Sequence, residues 1–426
     1  MINLFFVPWD FSGAGTYRKE VVAYLATCPN IKVFVVNIVG NLSEIKETTN
    51  NSITEITIPM PRAKHYKKEK FLSLCATLLQ SKYSHLENIV FHFNSHLLVD
   101  LAQSVKSKFD CKIVYSLHFL LPQFTCVKFD DSYKCNLDND DDKMLLNILT
   151  LADQIICVTK FAEETIHKHF NITSHKTHTI LNGFNNASIN NSNKQKLKKQ
   201  FGFDTTEKIV LYAGQLEFRK GIDTLLKAFK EVLIEFPKTR LVIAGNGNFN
   251  DYMKYNKGIY GKVQFTGRVD LEDIRKFYLM ADVGVIPSRF EQCSYVAIEM
   301  MHYAVPIVVT DVPGMTELFD HEQNALKCRL VMHNNGEEIV LNPDETELAD
   351  QIKRLIREPD FAKQLGQNAQ KKARREFTTE VMGKETFKIY QKVIKNEGLA
   401  LSENENLNSK PFRVEGPSLK IEAVEV

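Results

Sequence analysis

The chain has 426 residues, 44% hydrophobic and 25% charged, too long for one ordinary domain and apolar enough to fill two cores. Lys and Arg number 54 against 52 Asp and Glu, a balance that gives no footing for a nucleic-acid partner. No apolar run reaches the ~20 residues a membrane-spanning helix needs, and the 8 cysteines show neither a C-x-x-C pair nor metal-ligand spacing with histidine. Structural free thiols in a reducing cytoplasm are therefore expected.

The start, Met1 to Val7, has no basic head and meets Pro8-Trp9-Asp10 at once, so it reads as a buried strand and not a signal peptide. Short apolar runs then alternate with helical patterns. Strands are predicted at Asn3–Val7, Lys32–Asn37, Thr54–Ile58, Ile89–Phe93, Lys112–Ser116, Gln154–Val158 and His178–Leu181. Helices are predicted at Tyr17–Thr27, Lys68–Ser81, Leu97–Lys108, Lys143–Ala152 and Lys160–Phe170. The acidic run Asp138–Asp142 fits a solvated loop or a helix N-terminus, where negative charge suits the dipole.

A polar, asparagine-rich stretch, Asn182–Lys199, reads as a linker leading into a helix. The alternation then restarts with Lys208–Ala213, Gly221–Glu235, Thr239–Ala244, Tyr252–Asn256, Val263–Thr266, Leu271–Met280, Val283–Pro287, Tyr295–Tyr303 and Ile307–Thr310. It continues through Met315–Phe319, Ala325–Cys328 and Thr346–Arg357 to helices over Lys363–Phe377 and Thr379–Lys395. Two such blocks imply an α/β chain of two Rossmann-like, doubly wound domains. The expected division is 1–185, completed by about 380–395, then 200–378, then a mobile polar tail over 396–426.

Three stretches carry chemistry. Ser12-Gly13-Ala14-Gly15-Thr16 lies between a strand and a helix, where small residues let backbone amides approach an anion; a bare tight turn explains it equally well. Gly214 ends a strand, and Arg219-Lys220 fall just before the next helix. Two cations at the carboxyl edge of a sheet suit a diphosphate, although exposed basic pairs are common. The third stretch is the most specific, Ser288-Arg289-Phe290-Glu291-Gln292-Cys293-Ser294-Tyr295 running on to Glu299. Glu291 could accept from sugar hydroxyls, the amides of Gln292 to Tyr295 form a donor cluster, and Glu299 could chelate a ribose diol. The bland alternative pairs either glutamate with Arg289 or solvent.

These residues stand in an ordered set with Ile243-Ala244-Gly245-Asn246-Gly247, Phe265-Thr266-Gly267, Ala281-Asp282 and Pro306 to Leu318. The set strongly resembles retaining glycosyltransferases of family 4, with the GT-B fold. The first half resembles the family's acceptor domain in Gly13-Ala14-Gly15-Thr16, His118, Ala152-Asp153 and Asn182-Gly183. The Glu291–Val296 run also resembles a bacterial subgroup linked to peptide-modification clusters.

The resemblance implies a nucleotide-sugar donor bound in a cleft between the domains, with neither cofactor nor metal. Arg219 and Lys220 would neutralise the departing diphosphate, Glu299 hold the ribose, and Glu291 with the amides after it orient the transferred sugar. Gly13–Gly15 would approach donor phosphate and acceptor, His118 face the sugar, and Gly267-Arg268-Val269 border the base, with UDP favoured over GDP. Transfer would proceed with retention to a glycan, lipid-linked sugar or peptide. Two departures stand out: Phe377-Thr378-Thr379 lacks the family's tryptophan, and Phe119 to Cys135 matches no general pattern. The basic cluster Arg62–Lys68 is open to peripheral contact with the inner membrane face or to plain solvation. A sugar-nucleotide epimerase of the same fold and a non-catalytic nucleotide-sugar-binding scaffold are the alternatives.

Overall fold

A computed structural model describes residues 1–8, 13–39, 44–61, 67–118, 139–185, 193–334 and 339–395. Ser12, Arg62 to Tyr66, Phe119 to Asp138 and the tail from residue 396 lie outside the described residues. Backbone contacts form two units. The first holds residues up to Gly183 and those from Thr379, the second Phe184–Thr378.

The first unit runs β1 (Ile2–Val7), α1 (Gly13–Leu25), β2 (Ile31–Val39), β3 (Lys46–Asn50), β4 (Ile53–Pro59), α2 (Lys68–Tyr83), β5 (Ile89–Phe93), α3 (Val99–Lys108), β6 (Cys111–Leu117), α4 (Asp140–Leu151), β7 (Gln154–Cys157), α5 (Lys160–Phe170) and β8 (Thr177–Thr179). The sheet order is β3-β4-β2-β1-β5-β6-β7-β8, parallel except for the β3–β4 edge. Phe5 of β1 faces Phe34 and Phe91 in register on either side, with ring centroids 4.5 and 4.8 Å apart. Such stacking adds to the burial that holds the sheet centre. Helix ends follow local chemistry: Asn139 caps α4 ahead of Asp140–Asp142 in its first turn, and Asn171 ends α5 at a φ of 55°. The acidic run is thus, where described, a helix N-terminus.

A buried polar circuit fastens the C-terminal helix, Thr379–Lys395, to this unit. Burial pushes the His92 imidazole down to about 3, so the ring is neutral and carries one N–H. Thr386 donates to the Met382 carbonyl at 2.8 Å. Tyr17 Oη and Ser116 Oγ bond at 2.9 Å, His92 Nε2 and Ser116 Oγ at 2.7 Å, and His92 Nδ1 and Tyr390 Oη at 2.6 Å. Both ring nitrogens of His92 thus have partners, which is what a buried polar group requires.

The second unit runs α6 (Lys194–Gln200), β9 (Lys208–Ala213), α7 (Ile222–Glu235), β10 (Thr239–Ala244), β11 (Val263–Gly267), α8 (Leu271–Met280), β12 (Val283–Ile286), α9 (Tyr295–His302), β13 (Ile307–Thr310), α10 (Pro313–Leu318), β14 (Leu326–Cys328), a hairpin of β15 (Leu330–Asn334) and β16 (Ile339–Pro343), α11 (Glu345–Arg357) and α12 (Pro359–Glu376). Its six-stranded parallel sheet has the order β11-β10-β9-β12-β13-β14. Leu225 and Phe229 of α7 and Leu348 and Ile352 of α11 close one face over Val210 and Val285.

Both units use one device at the start of a strand. Asp153, after α4, accepts from the Ile113 amide at 2.7 Å, and Asp282, after α8, accepts from the Ile209 amide at 2.8 Å. In each sheet the strand order reverses at the first strand, between β1 and β5 and between β9 and β12. The crevice beyond those carboxyl ends is where open α/β sheets take ligands. Phe377, beside the missing tryptophan, is fully buried, and its carbonyl accepts from the Phe184 amide at 3.0 Å. The described cysteines are free thiols, with Cys75 and Cys111 raised by burial to about 12.

Candidate active site

The crevice between β9 and β12 gathers the sequence-predicted Arg219, Lys220 and Glu291 with the stretch Gln292–Tyr295. After β9 the chain forms a 3-10 turn, Phe218–Lys220, and Gly221 turns it into α7 at a φ of +66°. After β12 come Ser288 to Ser294, and Ser294 Oγ caps α9 by accepting from the Ala297 amide at 3.4 Å. Lys220 Nζ pairs with Glu291 Oε1, which also accepts from Ser288 Oγ at 2.9 Å. Glu291 is 6% exposed, so this ion pair stands largely out of water. Arg219 Nε bonds Glu217 Oε2 at 2.6 Å on the open side of the turn. The backbone after Glu291 is tightly enclosed: a Cβ at Gly314 would come within 1.6 Å of the Gln292 carbonyl oxygen. Gln292, Cys293, Ser294 and Tyr295 are all buried.

Glu299, half-buried on α9, accepts from the Tyr278 hydroxyl at 2.6 Å. That tyrosine is wholly buried beside a carboxylate, so its hydroxyl is held well above its ordinary pKa and remains a donor. Gly214, Gly245 and Gly267 tie the carboxyl ends of β9, β10 and β11 together, Gly214 N bonding Ala244 O and Gly245 N bonding Gly267 O, each at 2.9 Å. Asn246 and Arg268 are exposed there and Val269 half-buried, one and two strands outward from the crevice.

In the first unit Gly13, Ala14 and Gly15 form the first turn of α1 at the β1/β5 switch point. His118 directly follows β6, its ring 4.3 Å from Tyr17 and edge-on to it. Desolvation pushes the His118 imidazole down to about 3, so at neutral pH it is an uncharged hydrogen-bonding group and not a cation.

Arg289 pairs with Asp223 and not with either candidate glutamate. Its Nη1 and Nη2 meet the two Asp223 oxygens at 3.0 and 2.7 Å, and Nε meets Asn342 Oδ1 at 2.7 Å. Sequence reading missed Asp223, Asn342, Tyr278 and Tyr17. Each contacts a motif residue across 21 to 101 positions of sequence, and none sits in a motif of its own, so no local signal marks them.

Comparison with known proteins gives this arrangement a family. The description "Glycosyl transferases group 1" fits residues 193–372, and "Glycosyltransferase Family 4" fits residues 11–187. An uncharacterized glycosyltransferase of Methanocaldococcus jannaschii is 32% identical over 266 residues, 60% of this chain and 65% of that protein. The chain thus spans just under two thirds of that curated relative's length. Sucrose-phosphate synthase from Thermosynechococcus elongatus superposes with a TM-score of 0.72 at 20% identity, covering 93% of this chain and 100% of that one. Anabaena HepE in complex with UDP-glucose gives 0.67 at 17% identity, covering 92% and 100%. At those identities the likeness establishes the architecture alone, two Rossmann-like α/β units of the GT-B type. With one family description fitting each half, the chain belongs to the family 4, group 1 glycosyltransferases.

Proposed function

We propose that this protein transfers a sugar from a nucleoside diphosphate donor to a hydroxyl-bearing acceptor, a glycan, lipid-linked sugar or peptide, with retention at the anomeric carbon. The observation that carries the reading is the buried Lys220–Glu291 pair beside Arg219 at the carboxyl edge of the second sheet. Breaking a sugar–phosphate bond leaves charge on the diphosphate, and cations already fixed in a water-poor crevice stabilise it without reorganisation. Glu291 holds Lys220, and an entering diphosphate takes over the ammonium and releases the carboxylate to sugar hydroxyls. Glu299, oriented by Tyr278, accepts from the ribose diol, and the amides of Gln292 to Tyr295 add donors.

In the first unit, His118 is assigned to sugar recognition and the Gly13-Ala14-Gly15 turn to phosphate approach. Residues 1–185 with 380–395 would then be the acceptor half, and 200–378 the nucleotide half. Gly214, Gly245, Asn246, Gly267, Arg268 and Val269 border the nucleotide. A uridine base is preferred over guanine because fold relatives of this kind include HepE bound to UDP and UDP-glucose. Leaving-phosphate oxygen takes the acceptor proton, so the new bond forms on the face the nucleotide leaves. Among the described residues no helix is long and apolar enough to cross a membrane; we place the reaction in the cytoplasm, with the Arg62–Lys68 cluster as a peripheral contact. Lysine replacement there should abolish liposome co-sedimentation, and unchanged sedimentation rejects that contact.

Incubation with a panel of UDP-, GDP- and ADP-sugars, following free nucleotide with and without acceptors, tests the reading. Nucleotide released only with acceptor supports transfer. Isomerised donor supports the epimerase, and binding without turnover supports the scaffold.

A further inference from the structure

Arg289 has its charge and most of its donors turned inward. Its side chain is 3% exposed, and the bidentate pair with Asp223 neutralises the guanidinium completely. It is therefore no third phosphate ligand beside Arg219 and Lys220. Its bonds instead converge on the turn that carries those two cations. The Arg289 amide donates to the Arg219 carbonyl at 2.8 Å, and Nη1 donates to the Phe218 carbonyl. The guanidinium lies 3.9 Å over the Phe218 ring, covering one side of a side chain otherwise 57% exposed. Asp223 stands in the first turn of α7, just past Gly221. Arg289 thus grips the segment Phe218–Asp223 on both sides of Lys220, at Phe218 and Arg219 before it and at Asp223 after it.

The hairpin β15–β16 supports this grip from the far side. Asn342 of β16 accepts from Arg289 Nε at 2.7 Å, and Pro343 Cγ lies 3.5 Å from where a Gly221 Cβ would stand. Three stretches far apart in sequence, 218–223, 288–291 and 342–343, are locked by one side chain. We propose that Arg289 is a positioning residue, which holds Arg219 and Lys220 preformed for the donor diphosphate through Asp223 and Asn342. Lysine could keep the charge but not the fork or the stack, so it cannot serve. The proposal rests on the diphosphate reading of Lys220.

Calorimetric titration of UDP into the full chain tests it, with melting temperature followed in parallel. Arg289→Lys is expected to weaken UDP binding by roughly tenfold or more, and Asn342→Ala, a milder change, by about threefold. Because Arg289 acts through the two cations of the turn, Arg219→Ala/Lys220→Ala/Arg289→Lys should bind within about twofold of Arg219→Ala/Lys220→Ala. The proposal is overturned if both Arg289→Lys and Asn342→Ala keep wild-type UDP affinity, even with a lowered melting temperature. A further loss on adding Arg289→Lys to the variant lacking both cations overturns it as well. A Lys220→Ala chain with wild-type UDP affinity rejects the diphosphate reading itself, and this proposal falls with it.

Discussion

A methyl group at Gly221 would lie 1.9 Å from the Pro287 carbonyl oxygen, at a φ of +66° that L side chains rarely adopt. Gly221→Ala therefore cannot relax in place. It should cost about 1–3 kcal/mol in urea denaturation and raise the donor KM, because Lys220 moves with the turn; unchanged KM would separate the turn from the donor. His92 supplies a second residue-scale test. It is fully buried and its imidazole is pushed down to about 3, so the unfolded chain takes up a proton before the folded one does. The stability it contributes is present above about pH 6.5 and is lost as pH falls toward 3, by up to ~1.4 kcal/mol per pH unit. Imidazole NMR should show His92 uncharged at pH 5; a charged ring there contradicts its burial. The motif residues themselves were legible because their chemistry recurs at fixed spacing after strands. Their supports were not: that Asp223 and not Glu291 would take Arg289 depends on a contact across 66 positions, which only folding supplies.

At the scale of elements, the C-terminal helix is held to the first unit through Tyr390, which bonds His92 Nδ1 at 2.6 Å. Tyr390→Phe leaves His92 Nδ1 without its partner in a dry site, which should cost about 1–3 kcal/mol in denaturant unfolding. A loss under a few tenths would mean that water or another group replaces the hydroxyl. Elements with strong apolar periodicity were readable to the residue, as at Ile89–Phe93, Lys160–Phe170, Thr239–Ala244 and Leu271–Met280. The strand Lys46–Asn50 was not, because every residue of Lys-Glu-Thr-Thr-Asn is exposed at a sheet edge and no buried face writes a pattern. The hairpin of Leu330–Asn334 and Ile339–Pro343 was passed over for a related reason: among the described residues its two strands pair with each other and with no other strand. The family's tryptophan is missing near Phe377, yet Phe377 is buried and Thr379, at the start of the last helix, bonds Glu20 of α1.

For the whole molecule, the sequence carried the architecture further than the substrate. Two runs of alternating strands and helices dictate two parallel sheets, and the reversal of strand order in each decides where a ligand can enter. In the proposed function the base is read by backbone and stacking and the acceptor by the stretch beyond His118, and neither writes a pattern into residue types. The central claim is that the Arg219–Lys220 turn bears the charge of a departing nucleotide. The direct measurement is acceptor-dependent nucleotide release from UDP-sugar by the wild type and by Arg219→Ala/Lys220→Ala, with folding checked by circular dichroism. The folded double variant is expected to lose about 100-fold or more in kcat/KM. Equal turnover by the two chains would contradict the claim.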